Sequence, residues 1–212
     1  MRIGTRSLLF GVHQFLLHPL FVALAWNRLY GFPRDLRLWT CFILHDVGYW
    51  GCRDMDGEQG KRHPVLGARI VRWFHGDDWA GFCATHSRWL SRQVGCVPSR
   101  LCAADKLASA MYPPWLYLWL ARASGELEEY LVDHAAPGDP YQLGEEHPLR
   151  VWATHVYVCR EKKDRAGERF ALLWWYACLC DWLTAWTYNF LEETKDDGEE
   201  VDTDRRPVCH TP

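Results

Sequence analysis

The 212-residue chain has no excess of positive charge, because 24 Lys and Arg residues stand against 27 Asp and Glu residues, for a formal net charge of −3. A protein of this charge has no overall electrostatic attraction to nucleic acid or to an anionic membrane surface. Stable nucleic-acid binding is therefore not expected. A hydrophobic fraction of 49% supplies enough apolar material for a core, which excludes disorder of the whole chain.

The sequence also lacks any CxxC pair, although it contains nine cysteines. Most of them lie inside apolar runs, and the close pair Cys178 and Cys180 is two residues apart, which on a helix points the sulfurs to different faces. This pattern argues against a cysteine zinc site. It predicts buried free thiols, which are typical of a reducing compartment, and we expect a cytoplasmic protein.

No apolar run of membrane-spanning length is free of interruptions. The nearest approach is residues 8–26, which carry no full charge but include His13, Gln14, His18 and Pro19. Such residues near the middle of a span are costly in hydrocarbon. We therefore expect no membrane segment.

The chain shows no internal repeat and no strand-like alternation, whereas several segments have the helical period of apolar residues, so we predict an all-α fold. Five helices are expected in the first half, at about 7–30 with a kink at Pro19, 35–48, from His63-Pro64 onward, 77–94 and 98–110. Further helices are expected after Pro113-Pro114, at 148–161 and at 164–193.

The predicted organisation is a single helical domain over residues 1–193, with a core at about 7–112 and a C-terminal helical extension at about 113–193. Residues 194–212 are acidic and nearly free of apolar groups, so a disordered tail is expected there. The chain has 13 tryptophans, many of them in the extension. Aromatic helices of this kind would suit a homo-oligomer interface.

Histidines and aspartates follow one another along the first five predicted helices. Adjacent His45 and Asp46 differ by about 100° around a helix, so both can reach one cleft between helices. Imidazole and carboxylate ligands together suit Fe, Mn, Co, Ni or Zn. Six ligands suffice for two divalent transition-metal ions that share one carboxylate, and such a pair can activate a bridging water while holding a phosphate. The candidate ligands are His18, His45, Asp46, His63, His86 and Asp105.

This ordered set resembles the HD-domain superfamily, whose signature H…HD…D lies on a bundle of about five helices. The matching segments are HPLFVALAW with His18, CFILHDVGYWG with His45-Asp46, and LCAADKLA with Asp105. His63 in KRHPVLGARI and His86 in FCATHSRWL extend the match to the H…HD…H…H…D pattern of the dinuclear subgroup. The resemblance covers about residues 7–112.

The resemblance implies a role for each ligand. His18, His45, Asp46 and Asp105 would bind the first metal, Asp46 would bridge to the second, and His63 and His86 would complete the second. Many cyclic-dinucleotide phosphodiesterases of the subgroup carry a GYP motif and paired histidines. Here the corresponding segment reads GYWG and His86 is followed by Ser87, which argues against that activity.

Three functions remain open at this stage. The first is a metal-dependent phosphohydrolase that cleaves a nucleotide or related phosphate ester through a metal-bound hydroxide. The alternatives are a mixed-valent diiron oxygenase acting on a small organic substrate and a non-catalytic HD binding module. The ligand set is the same for the two enzymes, so it does not discriminate between them.

Residues beside the ligands are candidates for contacts to the substrate. Arg88 and Lys106 follow ligand positions and could neutralise a phosphate, so together with Asp46 they are the predicted catalytic residues. The competing interpretation for each cation is a solvated helix face. His13 lies five residues before His18, some 140° around a helix, and is expected behind the ligands or in the core. The remaining candidates for substrate contacts are Tyr49, Trp50, Lys61, Arg62 and Arg92.

Overall fold

The computed structural model describes residues 1–55, 57–136 and 143–196. Within these ranges it contains eleven α-helices, two short 3-10 helices and no strand, which confirms the predicted all-α fold. The 3-10 helices are Val47–Tyr49 and Gly60–Arg62. The α-helices are α1 (Ile3–Phe10), α2 (Leu17–Tyr30), α3 (Leu36–Leu44), α4 (Pro64–His75), α5 (Asp77–Ala84), α6 (Arg88–Val94), α7 (Arg100–Ala110), α8 (Pro114–Ser124), α9 (Glu126–Ala135), α10 (Pro148–Glu161) and α11 (Arg165–Asp196).

Two large apolar clusters and a small third one around Leu8 and Tyr49 hold the helices together. One lies among α2, α3, α4, α5 and α7, with Phe42 and Leu101 fully buried in it. The other is built mainly from α8 to α11 around Trp175. The long helix α11 packs against α10 and also against α7, so the C-terminal helices rest on the helix that carries Asp105.

The first predicted helix is wrong in one respect, because residues 7–30 form parts of two helices and not one kinked helix. Helix α1 ends at Phe10, and α2 begins at Leu17. Pro19 lies in the first turn of α2, where its missing N–H leaves no hydrogen bond unmade, so it does not kink the helix. The break brings His18 to the second residue of α2.

Two other predicted helices are also interrupted. Residues 77–94 divide into α5 and α6, and Ser87 caps α6 by accepting a hydrogen bond from the Leu90 amide. The aromatic helix after Pro113 ends at Gly125, whose φ of 92° is in the left-handed region. Helix α3 ends at Leu44, so His45 and Asp46 follow it directly. The prediction that Pro64 opens a helix is confirmed.

Seven cysteines are free, and Cys41, Cys52, Cys83, Cys102 and Cys159 among them are buried, as predicted. None of the helices in the described ranges combines the length and the apolar character needed to cross a bilayer. Helix α11 continues to Asp196, and the rest of the predicted disordered tail lies outside the described residues.

Close backbone contacts at two glycines bring α4 against the end of α3. A Cβ atom at Gly67 would collide with the Leu44 carbonyl, and one at Gly48 with the His63 carbonyl. These carbonyls belong to, or directly precede, candidate ligands, so the glycines fix how the ligand-bearing segments approach one another.

We expect Gly67→Ala to destabilise the protein by about 1–3 kcal/mol, because the added methyl group meets backbone that cannot rotate away. Gly144→Ala is the matched control, since nothing lies within 4 Å of its Cβ position. Urea unfolding of both variants measures the difference. Equal stabilities would contradict the close approach of α3 and α4.

Candidate metal centre

The six predicted ligands converge in the protein interior. His18, His45, Asp46, His63 and His86 are buried, and the Asp105 side chain is 13% exposed. Their donor atoms form two groups in which all atoms lie within 4.8 Å of one another. The first group is His18, His45, Asp46 and Asp105, and the second is Asp46, His63 and His86. Asp46 belongs to both groups.

Most of these ligands lie at or beside helix ends, where the chain changes direction. His45 is the C-cap of α3, Asp46 follows it, and His63 is the N-cap of α4. His86 lies in the break between α5 and α6. Asp105 is the exception, since it projects from the middle of α7, which packs against α2. Side chains from five separate segments can therefore meet at one point.

The two carboxylate oxygens of Asp46 face different sets of histidines. Oδ2 lies 3.3 Å from His18 Nε2 and 3.2 Å from His45 Nε2. Oδ1 lies 3.5 Å from His63 Nε2 and 3.7 Å from His86 Nε2. Two ligands bound at about 2.1 Å to one ion are about 3.0–3.4 Å apart in octahedral or tetrahedral geometry. The oxygen–nitrogen distances in the first group match those between ligands of a shared cation. The distances in the second group are only slightly longer.

Asp105 completes the first group. Its Oδ1 lies 3.1 Å from His18 Nε2 and 3.5 Å from His45 Nε2. The first group therefore offers two imidazoles and two carboxylates. This mixture of nitrogen and oxygen donors suits a divalent transition metal.

Hydrogen bonds to backbone carbonyls orient three of the histidines. The Nδ1 atoms of His45, His63 and His86 lie 3.0, 2.7 and 2.6 Å from the carbonyl oxygens of Phe42, Gly60 and Cys83, respectively. A carbonyl only accepts, so Nδ1 carries the proton in each ring and the lone pair of a neutral imidazole is on Nε2. This is the arrangement that holds a metal-ligating histidine in place.

The contact between His63 and His86 is difficult to explain without a cation. Their Nε2 atoms are 2.9 Å apart, and both rings already use the Nδ1 proton on a carbonyl. Two neutral rings in this state would direct lone pairs at each other. A positive ion bound by both nitrogens removes the repulsion, so the geometry fits a metal.

Two buried polar atoms without hydrogen-bond partners also fit a bound metal ion. His45 Nε2 and Asp46 Oδ2 are buried without a hydrogen-bond partner, although they lie opposite each other. Buried polar atoms in proteins are nearly always paired, and unpaired ones cost stability. A metal ion would satisfy both atoms, which is a second sign that the residues present fit such a group.

The carboxylates and histidines of the cluster shift one another's pKa values. Burial alone would raise the pKa values of the Asp46 and Asp105 carboxyls, but the surrounding histidines outweigh burial and hold both well below the usual range. Burial and the neighbouring His86 lower the pKa of His63 to about 3. Burial lowers the pKa of His45, but the Asp46 and Asp105 carboxylates outweigh it and raise this pKa well above its usual value. The two carboxylates and His63 are thus in the states that bind cations, and a bound cation would take the place of the His45 proton.

A buried ion pair lies beside the cluster, next to His18. His13 Nδ1 lies 2.7 Å from Glu126 Oε1, and Glu126, which is fully buried, also accepts a hydrogen bond from the Val12 amide. Burial lowers the pKa of His13, but the Glu126 carboxylate outweighs it and raises the pKa to about 9. The His13 ring is 5.2 Å from the His18 ring, so His13 lies beside the ligands, in agreement with its predicted position.

Sequence reasoning missed Glu126. It lies in the acidic run GELEEY, where residue type alone does not distinguish it from Glu128 and Glu129. One available signal was the preceding Gly125, which starts a new helix and directs this residue inward.

Tyr49 and Trp50, the two residues predicted to stack on a substrate, differ in their exposure. Tyr49 is buried and stacks on the His63 ring, with centroids 4.0 Å apart and planes inclined by 15°. Tyr49 therefore packs against a ligand and does not offer the open stacking surface that was predicted. Trp50 is 57% exposed at the surface beyond it.

The side chains predicted to bind phosphate lie in different parts of the structure. Lys106 Nζ lies 4.0 Å from Asp105 Oδ2, at the edge of the cluster. The Arg88 guanidinium lies instead 5.0 Å from the centre of the Trp186 ring, in a groove that it shares with Arg92 and α11. The helix restarts at Arg88, and this side chain packs against α11, so a role at the metal site stays a prediction.

The two loop cations do not contact the ligands. Lys61 Nζ lies 3.1 Å from Glu58 Oε1 at the surface, and Arg62 is an exposed residue beside α4.

No family model, curated protein or solved structure matches the chain. The structure thus establishes an all-α protein with a buried His/Asp cluster that can hold metal ions.

Proposed function

We propose that the protein is an HD-type metal-dependent phosphohydrolase that cleaves a nucleotide or a related phosphate ester. The observation that carries this proposal is the Asp46 carboxylate, whose two oxygens face two separate groups of histidines. This supports two divalent transition-metal ions that share Asp46. His18, His45 and Asp105 would hold one ion, and His63 and His86 the other.

In the proposed reaction, the metal ions and the protein side chains have different roles. When bound, such a pair of ions supplies a water of lowered pKa and neutralises negative charge on a phosphate. The chain positions the donors through the three Nδ1–carbonyl hydrogen bonds and keeps both carboxylates ionised. Lys106 adds a positive charge at the edge of the cluster, where a phosphate oxygen could accept its proton in a hydrogen bond.

The test is phosphate release from a panel of nucleotides and simple aryl phosphates, with Mn or Co and without oxygen. Hydrolysis transfers no electron, so turnover is expected under these conditions. Oxygen uptake that depends on iron, without release of phosphate, would overturn the proposal and favour the diiron oxygenase. Metal binding without turnover of any compound would overturn it in favour of a binding module.

We expect Lys106→Ala to lower kcat/KM for the hydrolysed substrate on the order of 10²-fold, because a charged donor at a developing negative charge is lost. Metal content should remain unchanged. Arg88→Ala is the matched control: it also removes one cation that follows a ligand closely in the sequence, but that cation contacts Trp186. Equal losses in the two variants would contradict the assigned role of Lys106.

A further inference from the structure

A surface groove lies between α4 and α6, outside the ligand cluster. Its volume is about 560 Å³, which is in the range of small-molecule sites. One wall consists of Arg62, Val65, Leu66 and Arg69, and the other of Trp89, Leu90 and Gln93. Gly48 also lines the groove, and it packs against the His63 carbonyl. The His63 backbone therefore stands beside the groove, and its imidazole points into the cluster.

The α4 wall has a regular arrangement. Its residues are spaced at i, i+3, i+4 and i+7, so they follow one face of the chain through the 3-10 turn and into α4. Val65 and Leu66 lie in the middle, with an arginine at each end. The arginines are seven residues apart, so a rise of about 1.5–2.0 Å per residue separates them by about 10–14 Å along the chain. Two cations thus flank an apolar floor.

The charge of the groove is not balanced locally. Neither Arg62 nor Arg69 forms an ion pair with any residue in the described ranges, whereas the nearby cations Lys61 and Arg72 pair with Glu58 and Asp77. The lining contains no carboxylate. Unpaired arginines present several fixed N–H donors, which suit phosphate oxygens.

Trp89 on the opposite wall adds a second kind of contact. It is half-buried and offers a large ring on which a planar group can stack. Gln93, one turn further along α6, can both donate and accept hydrogen bonds. The two walls together offer cations for an anion and an indole for a ring.

We propose that this groove is a second binding site, which takes a small phosphorylated molecule with a planar ring. The site is separate from the metal cluster and does not depend on the proposed hydrolase activity. It is bounded by the two helices that follow His63 and His86, so the bound molecule contacts the segments that carry the second group of ligands.

The experiment is a calorimetric titration of AMP into the full-length protein in EDTA, so that no metal ion can hold the phosphate. One AMP is expected to bind per chain, with an affinity that falls as salt rises. Adenosine and inorganic phosphate, titrated separately, are each expected to bind at least about tenfold more weakly, since each lacks one of the two recognised parts. Equal binding of AMP and adenosine, or no AMP binding at millimolar concentration, would overturn the proposal.

Surface variants locate the site. Arg69→Ala and Trp89→Ala are each expected to weaken AMP binding by about tenfold or more. Arg72→Ala is the matched control, because it removes the same charge from the same helix at a residue that pairs with Asp77 and does not line the groove. Circular dichroism confirms folding of each variant. Unchanged AMP affinity in the Arg69 and Trp89 variants would overturn the proposal, whatever the metal content of the protein.

Discussion

Replacing Asp46 with alanine is expected to remove both metal ions from the chain together. The two oxygens of this carboxylate face the two groups of histidines, so no other side chain in the cluster can take its place. Elemental analysis should show a fall from about two ions per chain to near zero. Hydrolysis should fall by more than about 10²-fold, since even residues that only support a ligand change activity by 10–100-fold.

Asp77→Ala is the control for Asp46→Ala. It removes a carboxylate that pairs with Arg72 at the surface, and it should keep both ions and full activity. Loss of only one ion in Asp46→Ala would show that Asp46 does not bridge. The two groups would then be independent sites.

Alanine at His63 or at His86 is expected to remove about one ion and to leave the other in place. Each variant leaves a single histidine beside Asp46 Oδ1, while His18, His45, Asp46 and Asp105 still form a complete first group. Hydrolysis should be lost with the second ion, because a single ion cannot hold both the attacking and the leaving oxygen. Metal analysis combined with phosphate release measures both effects.

His13→Gln is the control for the two histidine variants. His13 lies next to His18 but donates to Glu126, and glutamine can still hydrogen-bond to this buried carboxylate. It should keep two ions per chain. If His63→Ala and His86→Ala also keep two ions, the second ion is held by residues outside the proposed group.

The order of histidines and aspartates in the sequence predicted which side chains meet, and the structure brings all six together. The reason is that their order along the chain resembles the HD-domain pattern, and for His63 the following Pro64 also marked a helix start. The helix breaks at residues 11–16 and 85–87 were not predicted, because apolar periodicity continues across them. These breaks matter for function, since His18 and His86 lie at or beside them.

The direction of side chains around the cluster was less predictable than the ligands. Arg88 follows His86 by two residues, but a new helix starts between them, so its orientation depends on the capping Ser87 and on packing against α11. Tyr49 follows Asp46 by three residues in a 3-10 helix and stacks on His63. Glu126 is more than one hundred residues from His13 in sequence, and no local pattern predicts that pairing.

The proposed function depends on one carboxylate, Asp46, which is expected to bridge two metal ions in the buried cluster. Anomalous diffraction from crystals of the wild-type protein, purified without chelator, tests it most directly. We predict two anomalous peaks about 3.5–4 Å apart, one on each side of the Asp46 carboxylate. A single peak, or none in crystals of the folded chain, would contradict the dinuclear centre.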